Sequence, residues 1–426
     1  MNVYKYPEQR EWKTILQRPL ADASALEATV NNVLQEVKAN GDAAVKAFTK
    51  QFDKATIDEL LVPESAFLQA QQVLDVKLKA AILSAKVNIE TFHKQQLTEQ
   101  APVETMPEVL CWRKNVGIEK VGLYIPGGSA PLFSTILMLG VPAKLAGCKE
   151  IILCSPPDAS GNLHPAILFA AKAVGITKVF RVGGVQAIAA MAYGTESIPQ
   201  VFKIFGPGNQ YVTCAKQLVQ QQGVAIDMPA GPSEVAVFAD SSANPAFIAA
   251  DLLSQAEHGP DSQVVLVTDT EQLVEACRQQ VALQLASLPR KDIAAKALEN
   301  SRFIVVKNTT EAFELLNTYA PEHLIIASNQ AAELAEQVIN AGSVFLGHHS
   351  PESAGDYASG TNHTLPTNGF ATAYSGVSVD SFVKKITFQQ LSEKGLKNIG
   401  NMVITMAEAE GLQAHANAVK IRLNES

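Results

Sequence analysis

The sequence predicts an α/β protein built on two doubly wound parallel sheets, with small helical extensions at its N- and C-terminal ends. Three observations predict it. From residue 120 to residue 346, short β-branched apolar runs alternate with helical stretches, the pattern of strands buried on both faces and linked by crossover helices. The alternation comes as two successive series, which implies two sheet domains with a cleft between them. Several strands of the first series end in glycine-rich turns, at the edge where such sheets hold ligands.

The 426 residues suffice for two to three domains and a large core. Hydrophobic residues make up 47% and charged residues 18%, an ordinary globular balance. A net charge of -8 disfavours a nucleic-acid or anionic-membrane partner. No apolar run reaches the length of a membrane span. The opening MNVYKYPEQREW has no apolar signal-peptide core. The five cysteines are odd in number and scattered, which fits reduced thiols in a cytoplasm better than a disulfide framework.

Residues 1–22 are polar, hold few core candidates and read as an arm suited to docking on a partner. Residues 23–52 and 77–96 have helical periodicity. Residues 106–118, with Trp112 and Arg113 inside, read as strand or loop. The first series places strands at 121–125, 151–154, 179–182, 201–204 and 224–226. Its helices run over 132–145, 165–174, 185–193 and 209–220. The turns Pro126-Gly127-Gly128-Ser129, Gly183-Gly184 and Gly206-Pro207-Gly208-Asn209 follow strands, and helix-start N–H groups there can face a phosphate. None matches G-x-G-x-x-G, and tight turns need glycine for steric reasons alone. The second series places strands at 235–238, 264–268, 303–306, 324–327 and 344–346. Its helices lie at 244–258, 271–287, 309–319 and 330–341. Residues 347–363 form a polar, glycine-rich loop dense in ligand-type groups and too long for a plain connection. The tail from 380 returns to helix.

Chemistry-bearing residues cluster in the second half. Asn244-Pro245 is a helix start and Gly259-Pro260 a stop, so Gln255 and His258 share one face of the last turn. An amide oxygen and an imidazole so placed can grip one cation; a capping His beside a surface Gln has the same spacing. Pro321-Glu322-His323 puts a carboxylate beside an imidazole, and both serve one site only if the backbone turns there. Such a pair suits a reaction with more than one proton transfer. Asp356 is an anionic ligand or a turn former. His415 lies on a C-terminal helix and is a ligand or a surface residue. Gln255, His258, Asp356 and His415 together make an N/O set suited to zinc or a similar divalent ion.

These residues also fall in motifs. Ile226-Asp227-x-x-Ala230-Gly231-Pro232-Ser233-Glu234 leading to Gln255-x-x-His258 resembles the signature of the histidinol dehydrogenase family. So do Tyr124-Ile125-Pro126-Gly127-Gly128, Gly183-Gly184-Val185-Gln186-Ala187, Phe205-Gly206-Pro207-Gly208-Asn209, Ala320-Pro321-Glu322-His323-Leu324, Ser353-Ala354-Gly355-Asp356-Tyr357 and Asn362-His363-Thr364-Leu365-Pro366-Thr367. The resemblance runs over essentially the whole chain, in the family's order.

The resemblance implies a Rossmann-like NAD-binding domain over 121–232. It implies a discontinuous substrate and metal domain over 23–120 and 233–378, and a tail over 379–426 that serves a partner subunit's site. It implies oxidation of L-histidinol through L-histidinaldehyde to L-histidine with NAD+, in a cytoplasmic homodimer with shared active sites. Gln255, His258, Asp356 and His415 would bind one Zn2+ per subunit, with His415 coming from the partner. Ser233, His323, His363 and Glu410 match substrate-contacting positions, as do the metal ligands. Tyr124, Gln186 and Asn209 match NAD-binding positions. His323 suits the base that takes the hydroxyl proton, and Glu322 the activation of water on the aldehyde.

Overall fold

The computed structural model describes residues 1–19, 23–98, 100–127 and 131–423, without the side chains of 23–25. Gly128 and Ser129 of the first glycine-rich turn, and residues 20–22 at the end of the expected arm, lie outside the described residues. Among the described residues the strands are β1 (Asn2–Lys5), β2 (Val103–Met106), β3 (Val109–Gly117), β4 (Lys120–Tyr124), β5 (Glu150–Ser155), β6 (Lys178–Arg181), β7 (Lys203–Phe205), β8 (Ala225–Ile226), β9 (Glu234–Ala239), β10 (Gln263–Thr268), β11 (Arg302–Val305), β12 (His323–Ala327), β13 (Ser343–Leu346) and β14 (Val383–Leu391).

Two parallel sheets form the body, as expected. The order β6-β5-β4-β7-β8 makes one, and β1-β11-β10-β9-β12-β13 the other. Leaving β1 aside, each sheet starts at its middle strand, grows two strands one way, then two the other. The chain therefore has two topological switch points, between β4 and β7 and between β9 and β12. The strands form where the sequence is continuous and β-branched because both faces are covered: every residue of β9, β10 and β12 is buried. Ten successive residues of the helix Phe133–Leu145 are buried, Ser134 to Ala143, so it has no polar face to offer water. The core divides into clusters on the two faces of each sheet.

Four regions depart from the sequence reading. The first residues are no free arm: β1 pairs in parallel with β11, and Trp12, Ile15 and Leu16 are buried against the second sheet. Residues 383–391 are strand, not helix; β14 runs antiparallel to β3, which also pairs with β2, in a third small sheet. Trp112 and Phe388 stack there at 5.4 Å, a cross-strand pair that favours the strand. The expected helix at 330–341 is only Ala331–Leu334 followed by a 3-10 turn. The loop at 347–363 contains the helix Glu352–Tyr357, so Asp356 stands on a helix rather than in coil. Two helices were also missed, Glu64–Val73 and Lys291–Glu299.

Candidate active site

The carboxyl end of the first sheet opens into a cavity of about 1140 Å³, lined by Tyr124, Gln186 and Asn209 among others. Tyr124 ends β4, Asn209 follows β7, and the two flank the switch point. The Tyr124 hydroxyl accepts from the Gly184 N–H at 3.2 Å, and burial pushes its pKa up to about 12. Asn209 caps the helix Gln210–Gln221 by accepting from the N–H groups of Tyr211 and Val212, each at 3.1 Å. Gln186 is buried; its Nε2 donates to Asp53 at 3.4 Å, and its Oε1 has no partner.

The turn between β7 and that helix is held from below. Gly206 has φ 130°, and a Cβ there would stand 2.0 Å from the Tyr124 carbonyl oxygen, so only glycine fits. The Asp227 carboxylate accepts from the Gly206 N–H at 2.8 Å and pairs with Lys216, whose Nζ donates to the Gly206 carbonyl at 2.9 Å. The Ile226-Asp227 part of the long motif thus shapes the glycine-rich turn.

The second constellation lies at the opposite edge of the second sheet, at the amino ends of β9 and β12. The helix Thr309–Tyr319 stops at Ala320, whose φ of 49° is left-handed, and Pro321 turns the chain into β12. That turn brings the neighbours together: Glu322 Oε2 lies 3.6 Å from His323 Nδ1, and both side chains are buried. Glu322 Oε2 also accepts from the Glu234 N–H at 2.9 Å. His323 Nδ1 lies 3.2 Å from the Glu234 carbonyl and 2.9 Å from Gln255 Nε2. On the other side of the ring, His323 Nε2 faces Asp356 Oδ1 at 3.4 Å, an ion-pair distance too long for a well-formed hydrogen bond. Burial disfavours a charged His323, but Glu322, Asp356 and Glu352 outweigh it and raise its pKa well above the ordinary value.

Asp356 feels two opposing influences. Burial raises its pKa, yet the imidazoles of His323, His363 and His258 hold it below the usual carboxylate range. His363 is placed by bonds at both nitrogens: Nδ1 donates to the Asp356 carbonyl at 2.8 Å, and Nε2 accepts from the Thr135 hydroxyl at 3.0 Å. The ring is therefore engaged within the chain, and burial keeps its pKa low. Thr135 lies in the first turn of the helix that follows Pro131 of the cavity wall, so this bond links cavity and cluster.

Three buried atoms of the cluster have no hydrogen-bond partner: Gln255 Oε1, His323 Nε2 and Asp356 Oδ1. Orphaned buried polar atoms are rare, and three in one cluster suit a ligand or cation between them. Gln255 and Asp356 of the expected ligand set both border the His323 ring, one at each nitrogen. The helix carrying Gln255 ends at Ala256, and His258 lies two residues beyond it, exposed but within electrostatic reach of Asp356. His415 and Glu410 do not join them. They are exposed on a hairpin of helices Glu393–Ala409 and Gln413–Arg422, which packs on β14 and β2. Among the described residues, no three His, Cys, Asp or Glu side chains stand close enough to hold a metal by themselves. Ser233, just before β9, is half-buried, and its carbonyl accepts from the Gln263 N–H at 3.3 Å.

Sequence reasoning missed three residues of this site. Arg18 grips Glu234 with Nε at 2.6 Å and Nη2 at 2.8 Å, and also donates to the Tyr319 carbonyl at 2.7 Å. Glu352 is fully buried, accepts from the Ser254 hydroxyl at 2.6 Å and from Gln255 Nε2 at 3.3 Å, and is pushed by burial to about 8. Thr135 carried no signal beyond its place near a helix start. The thiols of Cys148, Cys154 and Cys277 are raised by burial, which leaves them poor nucleophiles.

Comparison with known proteins gives one consistent result. The histidinol dehydrogenase family profile matches residues 16–423. A histidinol dehydrogenase of Bacteroides thetaiotaomicron is 61% identical over 424 residues, covering 100% of this chain and 99% of the relative. One of Xanthomonas campestris pv. campestris is 53% identical over 410 residues, covering 96% and 95%. The crystal structure of histidinol dehydrogenase from Elizabethkingia anophelis is similar with a TM-score of 0.97 at 54% identity, over 100% of this chain and 98% of that one.

Proposed function

Because the chain belongs to the histidinol dehydrogenase family, we propose that it oxidises L-histidinol through L-histidinaldehyde to L-histidine, reducing two NAD+ in turn. The observation that carries this reading is the trio of buried atoms without a hydrogen bond, Gln255 Oε1, His323 Nε2 and Asp356 Oδ1, beside the Glu322–His323 pair.

The alcohol loses a hydride to the nicotinamide only as its hydroxyl proton leaves. His323, once it has released the proton its raised pKa favours, takes the hydroxyl proton. The surrounding carboxylates stabilise the imidazolium that results. The aldehyde then adds water to give a geminal diol, and a second hydride and protons leave to give the carboxylate. Glu322 accepts the proton of the attacking water, its position fixed by the Glu234 N–H. Glu352 steadies the Gln255 amide so that its oxygen faces the site. His363 holds the backbone of Asp356 in place, a positioning role.

Gln255, His258 and Asp356, completed by His415 of the partner subunit, would hold Zn2+, and the donor set of nitrogen and oxygen atoms fits that ion. When bound, the ion would orient the amine and imidazole of the substrate against the base. Tyr124, Gln186 and Asn209 would hold NAD+ in the cavity, with Ser233 and Glu410 of the partner subunit contacting substrate. We place the protein in the cytoplasm as a homodimer. No helix of the described residues is long and apolar enough to cross a membrane.

The test is NADH formation from L-histidinol, with and without a chelator. Activity that the chelator abolishes and Zn2+ restores is expected. No NADH from histidinol under any condition overturns the reading.

A further inference from the structure

We propose that Asp53 binds the adenosine ribose diol of the dinucleotide and so selects NAD+ over its 2′-phosphorylated form. The inference rests on the reading of the large cavity as the nucleotide site and adds to it the residue that sets cofactor choice.

Asp53 reaches the cavity from outside the first sheet. The helix Ala23–Phe48 packs on Gly184–Tyr193, then widens into a single π turn, Thr49–Asp53. Such turns are rare and favour functional positions. Lys54 ends the turn in the left-handed region at φ 60°, which leaves the Asp53 side chain on the cavity wall. The Asp53 carboxylate lies 3.4 Å from Gln186 Nε2, and among the described residues no cation is paired with it. The neighbouring Lys54 does not neutralise it, because its Nζ donates to the Gln51 carbonyl at 2.7 Å. Burial without a counter-charge lifts the carboxyl to about 6, so it is an anion at neutral pH and short of donors.

A vicinal diol is the complementary group, because its two O–H donors can meet two carboxylate oxygens. An acidic side chain on the ribose is a general solution in sheets of this topology. The rest of the lining agrees. Among the described residues no lysine lines the cavity. Among the described residues its one arginine is Arg181, which is tied to the wall through Nη1 to the Gly161 carbonyl at 3.2 Å and Nη2 to the Glu59 carbonyl; these neutral partners fix its place and leave its charge. His164 uses Nδ1 to cap the helix Pro165–Ala173. A 2′-phosphate beside Asp53 would bring close to two negative charges up to a carboxylate that has no paired cation among the described residues. Asp53 also stands at the proper end. Pro131 and Thr135 lead from the cavity to His363, where the nicotinamide must arrive, whereas Asp53 joins the wall through Gln186.

The experiment measures dissociation constants of NAD+ and NADP+ by calorimetry, and kcat and KM with L-histidinol, on the full-length protein. Asp53→Asn and Asp53→Ser are compared with wild type. Asp158→Asn is the control, a second cavity carboxylate whose Oδ1 is occupied by the N–H groups of Ser160 and Asn162. A hydrogen bond to a charged group sets the scale, so both Asp53 variants should weaken NAD+ binding roughly 10-fold or more and narrow the NAD+/NADP+ preference by at least as much. The control should keep the wild-type preference. If the Asp53 variants weaken both nucleotides equally, or neither, the assignment is overturned while the cavity remains the nucleotide site. If wild type binds neither nucleotide and histidinol yields no NADH, the reading of the cavity fails first and takes Asp53 with it.

Discussion

Asp251 stands one helical turn before Gln255, and burial with no cation to offset it raises its carboxyl from the usual range to about 7. The same helix face carries Ser254, whose hydroxyl reaches Glu352, so the site helix borders two carboxyls that resist ionisation. The sign of the linkage is set by the raised value. The neutral carboxyl contributes stability that is fully present below its unfolded pKa and is lost as pH rises through about 7. Asp251→Asn removes the cost of ionisation. Above pH 8 the variant should be the more stable by on the order of 2 kcal/mol, with no such gain at pH 4. Urea denaturation at both pH values measures it, and a difference independent of pH would refute the account.

At the scale of elements, the first segment holds the site from behind. Arg18 follows β1 and the helix Gln9–Ile15, and among the described residues its guanidinium is the one cation paired with the buried Glu234. Glu234 in turn gives its N–H to Glu322 and its carbonyl to His323. Breaking a buried pair strands a charge, so Arg18→Met should cost about 3–5 kcal/mol of stability and lower kcat with it. Denaturant midpoints together with steady-state rates test this, and an unchanged midpoint would refute it. No sequence signal announced the pair, since Arg18 and Glu234 are far apart in sequence. What local pattern could show, it showed. The strands of the two large sheets, β1 apart, announce themselves as β-branched runs, and Asn244-Pro245 caps the helix read from it. Residues 383–391 misled because Lys384, Lys385, Gln389 and Gln390 suit a helix, and only pairing with β3 makes them strand. Asp356 and the Glu322–His323 pair were legible as residue types, but their meeting depends on the turn at Ala320 and on the sheet. Asp53 was invisible, being one acid just past the end of a helical stretch.

At the scale of the molecule, the two sheets share one strand order but use opposite edges. The first sheet opens its carboxyl edge into the large cavity, and the second gathers the Glu322–His323 cluster at its amino edge. The helical hairpin that carries Glu410 and His415 leaves Met402, Met406, Leu412 and Ile421 exposed. If that hairpin serves a second subunit, two dead variants should rescue each other. His323→Ala and His415→Asn, inactive alone, should regain roughly a quarter of wild-type activity when co-expressed, because half the dimers are mixed and each holds one intact site of two. Absence of any rescue in verified mixed dimers would refute the exchange. The pairing of β1 with β11 has its own consequence for biogenesis. Asn2 leaves the ribosome early, yet its partner Arg302 is about 300 positions behind. At roughly 5–20 residues per second, the nascent chain carries Trp12 and Arg18 for on the order of 15–60 seconds before their binding surface is made. Until then the N-terminus is an open tether, so an affinity tag fused there would be tolerated during translation and tested only when the sheet closes.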